Sequence, residues 1–136
     1  MGDGRATEAE VRDPVIKHFK EKTGEHGLHV RNVFRPGPAV GFPDDTFYAY
    51  GRSLHIEFKR PDGEPSRKQE DKIARLRDLG HLVLIIDNAD EGTTALDMLI
   101  EGTNVSNADE MERVVCQRAG TTYRALVKNC RKIEAW

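Results

Sequence analysis

"LHIEFKRPDGEPSRKQEDKIARLRDLGHLVLIID", residues 54–87, reads in turn as a strand, a helix and a second strand. At its start apolar side chains fall on every second position. Leu54, Ile56 and Phe58 therefore share one face of a strand, and His55, Glu57 and Lys59 share the other. "PDGEP" is a loop by its Pro and Gly content. Ser66 with Gln69 three residues on forms a capping box that opens a helix running to about Leu79. Ile73, Leu76 and Leu79 make its inner face, and Gly80 stops it. "HLVLIID" (81–87) is almost wholly apolar, as expected of a strand buried on both faces.

Upstream, "DTFYAY" (45–50) pairs with residues 54–59 through a tight turn at Gly51-Arg52, and "RPGPAVGFP" (35–43) is a loop. "LHVRNVF" (28–34) reads as a further strand. "ATEAEVRDPVIKHFKEK" (6–22) reads as the first helix, with Thr7 and Glu10 as capping box and Val11, Val15 and Phe19 recurring every four residues. Pro14 leaves two readings open: a kink inside that helix, or a restart with Asp13 as cap and Pro14 in the first helical position. The order α-β-β-β-α-β predicts an α/β protein with one mixed sheet flanked by helices. Downstream, "TTALDMLIE" (93–101), "NADEMERVVCQRA" (107–119) and "TTYRALVKNCRKIEAW" (121–136) read as helices. The expected division is a core over 1–90 and a helical extension over 91–136, packed on the core or at a dimer interface.

The length of 136 residues suits one domain with a real hydrophobic core. No apolar run approaches the roughly 18 residues that would span a bilayer. The polar, acidic start "MGDGRATEAEVRD" resembles neither a signal nor a transit peptide, so a cytoplasmic address is expected. Cys116 and Cys130 are the only cysteines, and buried thiols are expected of them rather than a disulfide or a zinc site. The net charge of −2 excludes nucleic-acid coating by bulk positive charge, but the charge is segregated. Residues 52–77 carry eight Lys/Arg against five acids, and residues 87–112 carry eight acids and no Lys/Arg. A local basic face of that kind can bind phosphate, or can simply be a solvated helix face.

Glu57 and Lys59 stand on one face of their strand, with bases roughly 7 Å apart by strand rise. Asp44 enters the preceding strand directly after Pro43, and a hairpin pairing brings it beside Glu57 to Lys59. Two convergent carboxylates repel unless neutralised, and Mg²⁺ does this with carboxylates, carbonyls and water in its shell. Such an ion activates water and stabilises charge on a phosphodiester, and a neighbouring lysine can orient the nucleophile. The plainer alternative is an exposed Glu57–Lys59 charge pair.

"GFPD" at 41–44, "HIEFKRP" at 55–61 and the continuation "GEPSRKQEDKIARLRDLGHLVLIID" together resemble the PD-(D/E)xK nuclease signature, and within it the VRR-NUC group. The likeness spans roughly residues 7–88 and implies a restriction-endonuclease-like αβββαβ core. It implies metal-binding carboxylates at Asp44 and Glu57, a backbone carbonyl ligand at Phe58 and a catalytic lysine at Lys59. Gln69 matches the helix glutamine that accompanies such sites; the local alternative is that it serves only as the cap of its helix. Glu8 matches a glutamate on the first helix; it lies on the stripe of Val11, Val15 and Phe19, whereas Glu10, about 200° away, caps.

Further expectations attach to neighbouring side chains. Arg60, Arg67, Lys68 and Lys72 are candidates for phosphate contacts, and Arg31 and Arg35 for an opposite wall. His55 is expected to be structural, and Asp45 to point away from Asp44 by strand alternation. The resemblance implies a Mg²⁺-dependent endodeoxyribonuclease, with Mn²⁺ as substitute, acting on branched DNA such as junctions or flaps, in the manner of Holliday-junction resolvases and often as a homodimer. The alternative is a DNA-binding or assembly module that keeps the fold without cutting. RNA as substrate would use the same site.

Overall fold

A computed structural model of the chain describes residues 6–32, 37 and 40–123. It is an α/β protein built on one four-stranded mixed sheet. Helix α1 (Glu8–Thr23) opens on the expected capping box, with Thr7 and Glu10 each bonding the other's backbone N–H. It runs unbroken through Pro14, so the restart reading is set aside and Thr7 is the cap of the whole helix. Its inner stripe is Val11, Val15, Phe19 and Thr23.

A short 3₁₀ turn leads to β1 (Gly27–Arg31), followed by β2 (Asp45–Ala49) and β3 (Arg52–Phe58). Strand β1 is shorter than the sequence suggested, and residues 33–36 lie outside the described residues. The hairpin turn is Tyr50-Gly51, one residue earlier than read. Both residues have positive φ (53° and 79°), as the two-residue hairpins that match strand twist require. The sequence signal is hard to see because a tyrosine rarely occupies that left-handed position.

After β3, helix α2 (Arg67–Asp78) returns the chain to β4 (Val83–Ile86), which pairs parallel to β3. The sheet order is β1-β2-β3-β4, antiparallel at the first two junctions. All four residues of β4 are buried because helices cover both faces there. Leu84 and Ile86 join Phe47, Leu54, Ile56 and Phe58 in the main core, while Val83 and Ile85 pack under Ile73 of α2. Leu79, expected on the inner face of α2, is 57% exposed, because the helix ends at Asp78 and Leu79 turns out as its cap.

Helices α3 (Ala89–Glu101) and α4 (Ala108–Ala119) lie on the same face as α1 and supply Ala95, Leu96, Met98, Leu99, Met111 and Val115 to the main core. Helix α3 starts a full turn before the sequence reading, capped by Asn88. Gly92 concealed that turn. It is required by the close crossing of α1, since a Cβ there would meet Val15 Cγ2 at 2.5 Å. The helix expected over 121–136 falls almost wholly outside the described residues, as does Cys130; Cys116 is buried on α4. Among the described residues no helix is long and apolar enough to cross a membrane.

Candidate functional site

The register of β2 on β3 pairs Asp45 with Ile56, so Asp44, one residue before the ladder, stands beside Glu57 on the face that α2 covers. Glu57 is 1% exposed. Its Oε2 accepts from Gln69 Nε2 at 3.0 Å and lies 3.4 Å from Lys59 Nζ. Gln69 Oε1 in turn accepts from Lys59 Nζ at 2.9 Å and from Ser66 N at 2.8 Å. The amide orientation is thereby fixed: turned over, it would set its oxygen against the carboxylate and its NH₂ against the ammonium. The capping box does not exhaust the contacts of Gln69. The residue closes the capping box of α2 and joins Glu57 to Lys59 with the same side chain.

The second carboxylate oxygen differs. Glu57 Oε1 is buried with no hydrogen-bond partner. Burial pushes the Glu57 carboxyl up to about 7. Lys59 opposes that rise, while the charges of Asp44 and, after it, Glu8 add to it. Two acids thus act on Glu57 here. Glu8 does so from the start of α1, half-exposed and 3.8 Å from Arg12 Nη1. Glu57 and Lys59 are not the solvent-exposed pair of the plainer reading, since their side chains are 1% and 16% exposed.

The loop before β2 is held against α2. Gly41 has φ +86°, and a Cβ on it would meet Lys68 O at 2.5 Å, so the 41–44 segment lies directly on the first turn of the helix that carries Gln69. Phe42 sets its ring edge-on to His55 at 5.4 Å, and His55 Nδ1 shares a 2.8 Å hydrogen bond with Thr46 Oγ1, the structural role expected of it. Lys59 N donates to Ile86 O at 2.9 Å, so the trans peptide turns the Phe58 carbonyl the other way, toward the start of β2 and Asp44.

The remaining candidates separate. Arg60 is exposed at the turn after β3, Lys68 is exposed and Lys72 half-buried on α2, and Arg67 pairs with Asp71 at 3.5 Å. Arg31 is not at this site. It donates from Nη1 to Asp45 Oδ2 at 2.7 Å on the opposite face, where His29 Nε2 bonds Asp45 Oδ1 at 2.7 Å. The reason is parity: the β1–β2 register sets Arg31 opposite Asp45 rather than Asp44. Arg35 lies outside the described residues. Sequence reading missed this buried clamp, whose signal is the matching parity of His29, Arg31 and Asp45 across an antiparallel pair. It also missed Asp87, which accepts from Asp62 N at 2.9 Å and ties down the loop that follows Lys59.

The residues fit a hard divalent cation in one respect: Glu57 keeps a buried carboxylate oxygen without a hydrogen-bond partner and feels the charge of a neighbouring carboxylate, Asp44. Among the described residues no three His, Cys, Asp or Glu side chains gather closely enough to enclose a metal by themselves. Asp44 and Glu57 would therefore need a backbone carbonyl and water to complete a shell. Comparisons with protein-family models, characterised proteins and solved structures returned no match.

Proposed function

We propose that the chain is a metal-dependent endonuclease of the VRR-NUC kind, with a restriction-endonuclease-like core, that hydrolyses DNA phosphodiester bonds and selects branched structures. The observation that carries this reading is the Glu57–Gln69–Lys59 bridge, with one oxygen of Glu57 buried and unpartnered beside Asp44. Asp44, Glu57 and the Phe58 carbonyl would hold Mg²⁺ or Mn²⁺, which when bound supplies an activated water and charge neutralisation at the phosphate. Glu57 offers Oε1 because Gln69 and Lys59 occupy Oε2. Lys59, held by Gln69, presents its ammonium at the edge of the site, where it orients the attacking water and offsets charge on the pentavalent phosphate. Glu8 reaches the same field from α1. Cutting both strands of a junction takes two sites, which a homodimer provides.

The test is incubation of the protein with labelled four-way junction, flap, single-stranded and duplex DNA and with RNA, in Mg²⁺, Mn²⁺ or EDTA. Metal-dependent cutting of branched DNA is expected, with Lys59→Ala slower by at least about 10²-fold. Binding without cutting by both proteins would replace the enzyme with a DNA-binding module.

A further inference from the structure

A groove of about 560 Å³ runs between α2 and the loop before β2, lined by Gly37, Val40, Lys68, Asp71, Lys72 and Arg75. Both walls continue into the candidate site. The loop wall leads through Gly41, seated on the backbone of Lys68, to Asp44 three residues later. The helix wall carries Lys68 next to Gln69, which holds Glu57 and Lys59. Lys68, Lys72 and Arg75 recur at four- and three-residue spacing, so they form one stripe about 10 Å long on the helix. The acid in the lining, Asp71, is met by Arg67 at 3.5 Å. The groove is open, and four of its six lining residues are charged, three of them basic, which suits a polyanion better than a small molecule.

We infer that this groove is a phosphate track that carries one strand of a polynucleotide into or out of the candidate site, with Lys68, Lys72 and Arg75 as its contacts. The inference rests on the nuclease reading for the identity of the ligand, but it is tested without catalysis. Among the basic residues of the 52–77 stretch, Arg75 is thereby added to Lys68 and Lys72 because it lines the groove, and Arg67 does not line it.

The experiment is anisotropy of labelled DNA and RNA oligonucleotides, single-stranded and duplex, titrated with the whole protein in EDTA over a range of salt. Lys68→Glu with Lys72→Glu is compared with Lys17→Glu with Lys20→Glu, an equal charge change on the outer face of α1, and with the milder Lys68→Gln with Lys72→Gln. Circular dichroism checks that each is folded. The groove pairs should lose about tenfold or more in affinity, and the salt slope of the Gln pair should fall by about two, one per lost phosphate contact. Arg75→Gln should lower the slope by about one. The DNA and RNA arms name the strand preferred. Equal weakening by the α1 pair, no effect of the groove pairs, or no binding by wild type overturns the track. Absence of cleavage in Mg²⁺ with groove-dependent binding intact would sink the nuclease reading alone.

Discussion

Glu57 shows what one buried carboxylate costs and what it makes possible. Its carboxyl is pushed up to about 7 from an ordinary 4.5, first by burial. The folded chain then holds a proton that the unfolded chain has released. The stability that this carboxyl contributes is therefore fully present below about pH 4.5 and is lost as pH rises through about 7, by up to roughly 3 kcal/mol. Glu57→Gln has no such charge to bury, so in EDTA it should unfold at higher urea than wild type at pH 8 and at similar urea at pH 5. Equal midpoints at pH 8 would mean that the carboxylate is better compensated than its surroundings suggest. Asp45, next to the site but on the other face, has both of its oxygens engaged, by His29 and Arg31. Asp45→Ala strands those partners and should cost about 3–5 kcal/mol in urea unfolding.

At the scale of elements, the site exists because a strand, a loop and a helix start are fixed together. Gln69 links two of them, and its two jobs can be separated. Gln69→Ala removes cap and bridge and should cost about 1 kcal/mol with a large loss of cleavage. Gln69→Glu can still close the box with Ser66 but sets a third carboxylate against Glu57, so cleavage should fall while the helix cap persists. Cleavage by Gln69→Glu at the wild-type rate would leave the glutamine with capping alone. The sequence revealed α1, the hairpin, α2 and β4 because each carries a periodicity or a cap within a few residues. The faces of Glu57 and Lys59, and of Asp45 against Asp44, followed from alternation alone. The start of α3 did not, since Gly92 answers to a residue on another helix. Nor did the place of Arg31, which depends on a register between strands far apart in the chain. The unpartnered oxygen of Glu57 belongs to the packing of α2 and had no local signal.

For the whole molecule, the segregated charge is partly internal. Arg52 donates to the carbonyls of Leu99 and Ile100 at the end of α3, both at 2.8 Å. Arg77 donates to Val83 O and, at 2.9 Å, to Glu112 of α4. Basic residues of the 52–77 stretch thus dock the acidic helices that follow, which leaves fewer of them for a ligand. Burial raises the Glu112 carboxyl and Arg77 opposes that rise. Arg77→Ala should therefore destabilise by about 3–5 kcal/mol at neutral pH, and by less in acid, where Glu112 takes a proton; a pH series of urea midpoints reads both. These contacts tie α3 to β3 and α4 to α2 and β4, whereas Glu57 lies on the sheet face that α2 covers. The most direct test of that face is calorimetric titration of Mn²⁺ into wild type, Glu57→Gln and Lys59→Ala at pH 8. Saturable binding by wild type and Lys59→Ala that is lost in Glu57→Gln is the expected result. Equal binding by wild type and Glu57→Gln, or none by wild type, would contradict Glu57 as the ligand on which the proposed cleavage depends.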